Sequence, residues 1–171
     1  MLFRSEAGFI QPKKDWCDIS EIIYDAVKRV EDNNITQQIN ISINPAIPLF
    51  KLDKGMLEQI VYNLLNNAAI YTQKDCCIKV FALNYADVLQ IIVEDDGPGF
   101  PKDEIKNVFD KFYRLKNSVA GGTGLGLSIV KGFIEAQGGS VSLENVDTGG
   151  ARFTIAIKAE TSYLKISNDK G

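Results

Sequence analysis

The first candidate for chemistry in this sequence is a glycine-rich segment, GGTGLGLSIVKG, at residues 121–132. Backbone N–H groups left open by glycines, together with the positive end of a following helix, attract anions such as phosphate. The spacing matches neither common nucleotide loop. A Walker loop ends in Gly-Lys-Ser/Thr and a dinucleotide fingerprint reads G-x-G-x-x-G, whereas Gly122, Gly124 and Gly126 stand at alternate positions. The segment therefore predicts a phosphate loop of another kind.

Two asparagines are candidates for metal binding. Asn63 and Asn67 are four positions apart on a predicted helix, so both carboxamides project from one side, at the edge of its apolar face. Carbonyl oxygens are hard ligands that suit Mg²⁺ when phosphates complete the coordination shell. The alternative is that these are ordinary surface amides, and the helix taken alone does not decide between the two.

A third candidate lies at the end of an apolar strand, in VLQIIVEDDGPGF at residues 88–100. Gly97 and Gly99 allow the backbone to turn sharply and to approach a ligand. An ionised aspartate only accepts hydrogen bonds, so a partly buried Asp95 needs a donor, and the amino group of adenine is one. Taken alone, DDGPG is better explained as a turn.

A fourth candidate is the segment VFDKFYRLKNSVA, which precedes the glycine-rich segment. Its two phenylalanines, Phe109 and Phe112, could fill an apolar slot, while Lys111, Arg114 and Lys116 remain mobile and positive. Surface lysines and arginines are more commonly just solvated charges.

Composition narrows the classes of function. The 171 residues suit one domain, and a net charge of −3 gives no indication of binding to nucleic acid or to an anionic membrane. The three cysteines lack the pattern of a disulfide framework and fit a reducing compartment. No apolar run approaches the ~20 residues of a membrane-spanning helix, and no signal-peptide pattern is present. The sequence contains no histidine, which removes the usual general base, the usual metal ligand and one phosphoacceptor.

Hydrophobic periodicity predicts the elements that must position these residues. Apolar residues recur at helical spacing after Asp18, with Ser20 as a candidate cap, and residues 39–43 alternate as in a strand. The remaining predicted elements are a helix capped by Asp53, a hairpin of strands 77–84 and 88–95, a short helix near 101–108, a helix over 125–137 and two closing strands at 140–145 and 151–158. Helices among antiparallel strand pairs indicate an α+β fold with one sheet and helices on one face.

The order of the four candidates along the chain is more specific than any one of them. Asn-x-x-x-Asn, then Asp-x-Gly-x-Gly, then Phe-x-x-Phe, then Gly-x-Gly-x-Gly resembles the catalytic ATP-binding domain of sensor histidine kinases. These are the N, G1, F and G2 boxes of a superfamily that includes gyrase, Hsp90 and MutL. The resemblance covers about residues 12–158 and implies a two-layer α/β sandwich of the Bergerat type, with a mixed, mostly antiparallel sheet.

The resemblance also implies a role for each candidate residue. It places Asn63 and Asn67 at the metal and phosphates, with Asn67 as the direct Mg²⁺ ligand, and it matches Arg114 to the basic residue that ends the F box. Tyr71 would lie against the adenine, Asp95 would accept its amino group, and Thr154 would add a hydroxyl near the base. The full set implied to bind nucleotide is Tyr71, Asp95, Gly97, Gly99, Phe112, Gly122, Thr123, Gly124, Leu125, Gly126, Leu127 and Thr154.

One position departs from the pattern of this family. The family usually has Lys or Arg three residues after the second Asn, where this sequence has Ile70. One phosphate contact is therefore missing, and Arg114, Lys111 or Lys116 would have to supply the positive charge.

The function implied is that of a catalytic fragment that binds ATP and Mg²⁺ and donates the γ-phosphate to a histidine. That histidine would lie on the dimerisation domain of the same kinase, with a response regulator downstream and no nucleic acid as partner. Residues 1–11 would be the end of a dimerisation helix and linker, 12–158 the catalytic domain and 159–171 a disordered tail. The fragment is expected to be monomeric and to be the cytoplasmic part of a membrane-anchored sensor. WCDISEIIYDAVKRVED and DKFYRLK are similar, more loosely, to the potassium-responsive Kdp sensor kinases.

Two other kinds of protein remain open at this point. A self-sufficient ATPase or an anti-sigma-type serine kinase of the same superfamily usually has Glu where this sequence has Asn63, which argues against both. A degenerate module that only senses nucleotide is the other alternative, and Ile70 is the single feature that favours it.

Overall fold

The computed structural model describes residues 10–115 and 124–163. Within them, no helix combines the length and the apolar character needed to cross a membrane. The elements in chain order are β1 (Asp15–Cys17), α1 (Ile19–Glu31), β2 (Gln38–Ile43), β3 (Leu49–Leu52), α2 (Lys54–Tyr71), β4 (Cys77–Tyr85), β5 (Val88–Asp95), a 3₁₀ turn (Ile105–Asn107), α3 (Gly126–Ala136), β6 (Ser140–Asn145), β7 (Ala151–Lys158) and β8 (Thr161–Ser162).

The main sheet has five strands in the order β2-β4-β5-β7-β6. β2 runs parallel to β4, and every other pair in this sheet is antiparallel. The predicted hairpin of β4 and β5 and the closing pair of β6 and β7 are confirmed, the closing pair at the residues predicted. Asp95 is the last residue of β5 and pairs with Ile78 at the open end of the hairpin. Its carboxylate therefore lies where the strands of the sheet end.

The core lies between this sheet and the helices. Leu89, Ile91 and Val93 of β5 alternate inward and are at most 1% exposed, while the residues between them are half-buried on the other face. The opposing layer is α2, whose fully buried side chains are Leu57, Ile60, Val61, Leu64 and Leu65. One-sided burial of this kind is the two-layer α/β arrangement that the sequence predicted, so the predicted fold class is confirmed.

Aspartates begin the first two helices. The Asp18 side chain accepts from the N–H groups of Ser20 and Glu21, so Asp18 rather than the predicted Ser20 is the cap of α1. Asp53 caps α2 as predicted, because its Oδ1 accepts from the N–H of Met56 at 3.0 Å. An aspartate is favoured here because it satisfies an N–H group that has no partner inside the helix and adds negative charge at the positive helix end.

A second, three-stranded sheet was not predicted. β3 lies between β1 and β8, so Leu49–Phe50 pair with Thr161–Ser162. The predicted tail from 159 is therefore wrong for residues 159–162, which continue from β7 into this sheet. Strands of two to four residues carry too little alternation to be recognised. Residues 164–171 of that tail, and 1–9 of the predicted linker, lie outside the described residues.

Candidate functional site

Two adjoining cavities lie beside the last turns of α2. Their volumes are about 310 and 530 Å³. The larger cavity reaches Asp95 and the smaller reaches the start of α3. The five residues that line both are Asn67, Ile70, Tyr71, Phe100 and Leu115. An elongated ligand can therefore extend from one cavity into the other.

Asp95 is a buried carboxylate that lines the larger cavity, with 7% of its surface exposed. Its Oδ1 accepts from the N–H of Gly97 at 3.0 Å and from the N–H of Ala151 at 3.3 Å. Its Oδ2 accepts no hydrogen bond from residues 10–115 or 124–163, so that oxygen is available to a ligand. Burial raises the pKa of Asp95, and the two backbone N–H groups oppose that rise because they stabilise the charged form.

Glycines allow the backbone to close tightly around Asp95. Gly150, which immediately precedes β7 and has φ of +104°, lies so close to Asp95 that a Cβ on it would be 1.8 Å from the Asp95 carbonyl oxygen. A Cβ on Gly97 would lie 2.7 Å from Cγ2 of Thr72, and Gly99 has φ of +75°. Gly99 lines the larger cavity, whereas Gly97, predicted to line it as well, lines neither cavity and instead donates its N–H to Asp95. No motif in the sequence indicates that Gly150 is needed for the same purpose.

An apolar, aromatic wall separates this end from the core. The rings of Tyr71 and Phe100 lie 6.3 Å apart, and Phe100 packs edge-on against Phe153 with centroids 5.8 Å apart. Asn145 fixes Phe100 with two hydrogen bonds of 2.8 Å, accepting from its N–H and donating to its carbonyl. Tyr71 was predicted at this wall, whereas Phe100 and Asn145 were missed because neither belongs to a recognised motif.

The smaller cavity is lined by carboxamides and by the start of α3. Asn63 donates from Nδ2 to the carbonyl of Gly126 at 3.1 Å and accepts at Oδ1 from Gln59 at 2.8 Å. Asn67 lines both cavities, and its side chain makes no hydrogen bond within the described ranges. The structure thus gives the two asparagines different roles, because Asn63 joins α2 to α3 while Asn67 has a free carboxamide. Asn66 also lines this cavity and was not predicted as a site residue.

The first turn of α3 faces the same cavity through Gly124, Leu125, Gly126 and Leu127. The first N–H groups of a helix have no partner within it and attract anions. Gly124 has φ of +73°, and a Cβ on it would lie 2.7 Å from the backbone of Phe112, while a Cβ on Gly126 would meet nothing within 4 Å. Gly122 and Thr123, predicted to belong to this loop, lie outside the described residues.

The F-box segment contacts the cavities through residues other than those predicted. Phe112 is 65% exposed and lines neither cavity, and Arg114 is exposed and also lines neither. Phe112 is turned outward by its positive φ of 65°, which lies in the left-handed region. The residues of this segment that do line the smaller cavity are Val108, Tyr113 and Leu115.

Tyr113 is hydrogen-bonded to a buried glutamate. Its hydroxyl donates to Oε1 of Glu104 at 2.5 Å, and this hydrogen bond raises the pKa of Tyr113 to about 12. Glu104 is 5% exposed and lines the larger cavity. This hydrogen bond holds the F-box segment against the cavity.

Thr154 does not reach the site. It pairs with Ile92 and Ser142 in the middle of the sheet, and it is half-buried on the face away from the helices. Side chains alternate along a strand, so Ala151 and Phe153 face the core and Thr154 faces the opposite side. Ala151, not Thr154, is the residue of β7 beside Asp95.

The donors in the cavities fit Mg²⁺ bound together with phosphate. Within the part of the chain that the structure describes, no group of three or more His, Cys, Asp or Glu is placed to hold a metal ion. The described lining residues also include no Lys or Arg, and Ile70 occupies the junction of both cavities with 39% of its surface exposed. The free carboxamide oxygen of Asn67 is a hard ligand, but one such oxygen needs phosphate and water oxygens to complete six-fold coordination.

Comparison with known proteins agrees with this geometry. Residues 52–161 match the family described as histidine kinase-, DNA gyrase B-, and HSP90-like ATPase. The sensor protein KdpD of Escherichia coli is 32% identical over 160 residues, which are 93% of this chain and 18% of that protein. KdpD of Clostridium acetobutylicum is also 32% identical over 160 residues, 91% of this chain and 18% of that protein. The chain thus spans 18% of the length of these curated relatives.

Solved structures share the fold. The mycobacterial sensor histidine kinase MprB superposes with a TM-score of 0.76 at 23% identity, over 86% of this chain and 100% of that chain. Full-length ShkA in complex with AMPPNP superposes with a TM-score of 0.77 at 25% identity, over 91% of this chain and 33% of that chain. AMPPNP is an analogue of ATP, so one chain with this fold has been solved with an adenine nucleotide.

Proposed function

This chain belongs to the family of histidine kinase-, DNA gyrase B- and HSP90-like ATPases, and from that premise we propose that it is the ATP-binding catalytic domain of a two-component sensor histidine kinase. The observation that carries the proposal is the pair of joined cavities, with the buried Asp95 at one end and the first turn of α3 at the other. A base with an amino group suits the first end, and phosphates suit the second.

At the base end, Oδ2 of Asp95 would accept from the adenine amino group. Tyr71 and Phe100 supply apolar surface for the flat ring, and the apolar junction around Ile70 would enclose the ribose. Guanine presents a carbonyl oxygen where adenine presents an amino group. Because two acceptors repel each other in a partly dry pocket, we expect Mg·ATP to bind better than Mg·GTP.

At the phosphate end, the backbone N–H groups of Gly126 and Leu127 would bind the phosphates, and the carboxamide oxygen of Asn67 would bind Mg²⁺. Bound there, Mg²⁺ would neutralise part of the phosphate charge. Asn63 would position this end through its bond to the carbonyl of Gly126. Arg114 is exposed in this structure, so a contact between Arg114 and phosphate requires its segment to move.

The phosphate acceptor must come from outside this sequence, which has no histidine. We infer that a histidine on the dimerisation domain of the same kinase attacks the γ-phosphate, and that a response regulator receives the phosphate from it. The two KdpD relatives support a sensor of the Kdp type, with this domain on the cytoplasmic side of a membrane-anchored protein. Residues 1–11 remain our candidate for the end of the dimerisation helix and linker.

A self-sufficient ATPase is the second candidate, and Asn63 disfavours it. Hydrolysis needs a group that orients or deprotonates water, and a carboxamide has no useful basicity. The Asn63 carboxamide is also engaged at both ends, by Gln59 and by Gly126. The isolated chain should bind Mg·ATP and turn it over very slowly.

Replacement of Gly126 by alanine tests the phosphate end. A Cβ at Gly126 meets nothing in the protein within 4 Å, yet Gly126 lines the smaller cavity, so the methyl group would occupy space that the phosphates need. We expect Gly126→Ala to weaken Mg·ATP binding about tenfold in calorimetry, while the melting temperature stays equal or rises because alanine favours helix.

Gly132→Ala is the matched control. Gly132 also lies in α3, and a Cβ on it also meets nothing within 4 Å, but it lines neither cavity. It should gain similar stability without loss of nucleotide affinity. If Gly126→Ala and Gly132→Ala bound Mg·ATP with equal affinity, the phosphates would not bind at the start of α3.

A further inference from the structure

The last turn of α2 is held by a side chain that lies outside both cavities. Gln37, which precedes β2, donates from Nε2 to the carbonyl oxygen of Ala69 at 2.8 Å. The same nitrogen lies 3.2 Å from both the carbonyl and the hydroxyl oxygen of Thr72. The last four carbonyls of a helix have no partner within it, and the last turn of α2 has no basic residue to supply one. Gln37 therefore acts as a helix cap from a distant part of the chain.

Thr72 is fixed by this contact and by its own helix. Its hydroxyl donates to the carbonyl of Ala68 at 2.7 Å, and it accepts from Gln37. Its backbone is extended, with φ of −117° and ψ of 161°, so the chain leaves α2 at this residue. Both its side chain and its carbonyl are thereby held in one orientation.

The orientation of Thr72 sets the shape of the base end. Thr72 lines the larger cavity, and its Cγ2 lies so close to Gly97 that a Cβ there would be 2.7 Å away. The N–H of Gly97 in turn donates to Oδ1 of Asp95. A continuous series of contacts thus leads from Gln37 through Thr72 and Gly97 to the carboxylate, and Tyr71 precedes Thr72 directly.

We propose that Gln37 is a positioning residue for base recognition, which orients Tyr71, Thr72 and Asp95 without touching the nucleotide. The phosphate end depends on it less, because Asn63 and Asn67 lie nine and five residues before Thr72 on α2, and α3 is a separate helix. Loss of Gln37 should therefore weaken binding of the base and leave binding of the phosphates nearly unchanged. This inference rests on the proposed function, since it assigns the larger cavity to adenine.

Three substitutions separate the hydrogen bonds from the space that Gln37 fills. Gln37→Leu has similar volume and no donor, Gln37→Glu places an acceptor against three acceptors, and Gln37→Lys restores a donor of sufficient reach. Gln38→Leu is the matched control, because Gln38 is the next residue, is exposed, and its side chain makes no hydrogen bond within the described ranges.

The test measures the dissociation constants of Mg·ATP, Mg·GTP and magnesium with inorganic triphosphate, together with the melting temperature, for the full chain. For Gln37→Leu we expect ATP to bind about tenfold more weakly, with a smaller preference for ATP over GTP and triphosphate affinity within about twofold of wild type. Gln37→Glu should bind ATP more weakly than Gln37→Leu does, and Gln37→Lys should recover most of the wild-type ATP affinity. Should Gln37→Leu not fold, Thr72→Val must give the same selective loss, because valine keeps the side chain's shape but removes the hydroxyl that links Gln37 and Ala68.

Equal loss of ATP and triphosphate affinity would overturn the inference, because it would show a general structural role. ATP affinity for Gln37→Leu equal to that of Gln38→Leu would overturn it as well. Failure of the proposed function is a different result, since the wild-type chain would then not bind Mg·ATP at all.

Discussion

Asp95→Asn should lower the affinity for Mg·ATP by about a hundredfold and abolish most of the preference for ATP over GTP. The free Oδ2 of Asp95 is the acceptor that we assign to the adenine amino group, and a hydrogen bond to a buried charged group is strong. Asparagine has nearly the same shape, but it is neutral and can present an N–H₂ group to the ligand. Calorimetry with both nucleotides measures the effect.

Asp96→Asn is the matched control for this substitution. Asp96 is exposed, lines neither cavity, and accepts from the N–H of Cys77 at 2.8 Å, a bond that asparagine can retain. Its nucleotide affinities should stay at the wild-type values. If Asp95→Asn bound ATP and GTP as the wild type does, the base would not lie at this carboxylate.

Asp95→Asn should not destabilise the fold. Burial raises the pKa of Asp95, so this carboxyl group contributes stability in acid that is lost as the pH rises through its folded-state pKa. At neutral pH the ionised form therefore lowers the free energy of unfolding, and Asp95→Asn removes that cost. Urea unfolding at neutral pH should give an equal or higher free energy of unfolding for the variant.

The raised pKa also gives a pH dependence to binding. The adenine amino group needs the ionised carboxylate, so the affinity for ATP should fall on acidification, starting at a higher pH than for an ordinary aspartate. In Asp95→Asn this part of the pH dependence should be absent.

Asn67→Ala should reduce phosphate transfer to a histidine-bearing dimerisation domain by about a hundredfold or more, since outer-shell partners of a metal alone contribute 10–100-fold. The alanine removes the free carboxamide oxygen that lines both cavities. Phosphoryl transfer depends on positioning and charge neutralisation, and no basic side chain among the described lining residues replaces the metal ion. Wild-type protein with excess chelator should show the same loss.

Asn40→Ala serves as the control, because Asn40 is exposed on the edge strand β2 and lines neither cavity. It should transfer phosphate at the wild-type rate. If Asn67→Ala transferred phosphate at the wild-type rate, the metal ion would have to be bound by other residues.

The sequence predicted the main sheet well because periodicity and turns are local. The bounds of β6 and β7 followed from DTGG between two alternating segments. The location of Asp95 followed in the same way, because an apolar strand that ends in two glycine turns brings its last carboxylate to the sheet edge. Each of these features is determined by residues only a few positions apart in the sequence.

The errors at the site come from contacts between distant segments. Ala151 rather than Thr154 lies beside Asp95, because the face of β7 depends on its pairing with β5. Phe112 points outward because of a left-handed backbone that motif spacing does not reveal. Asn145 and Gln37 contribute through hydrogen bonds to residues 45 and at least 32 positions away.

The most direct test mixes this chain with radiolabelled ATP, Mg²⁺ and a histidine-bearing dimerisation domain of a sensor kinase. Our expectation is acid-labile phosphate on the dimerisation domain, no label on this chain, and very slow ATP hydrolysis when this chain is alone. Brisk hydrolysis by the chain alone, with Asn63 intact and no phosphohistidine on the partner, would contradict it and identify the protein as a self-sufficient ATPase.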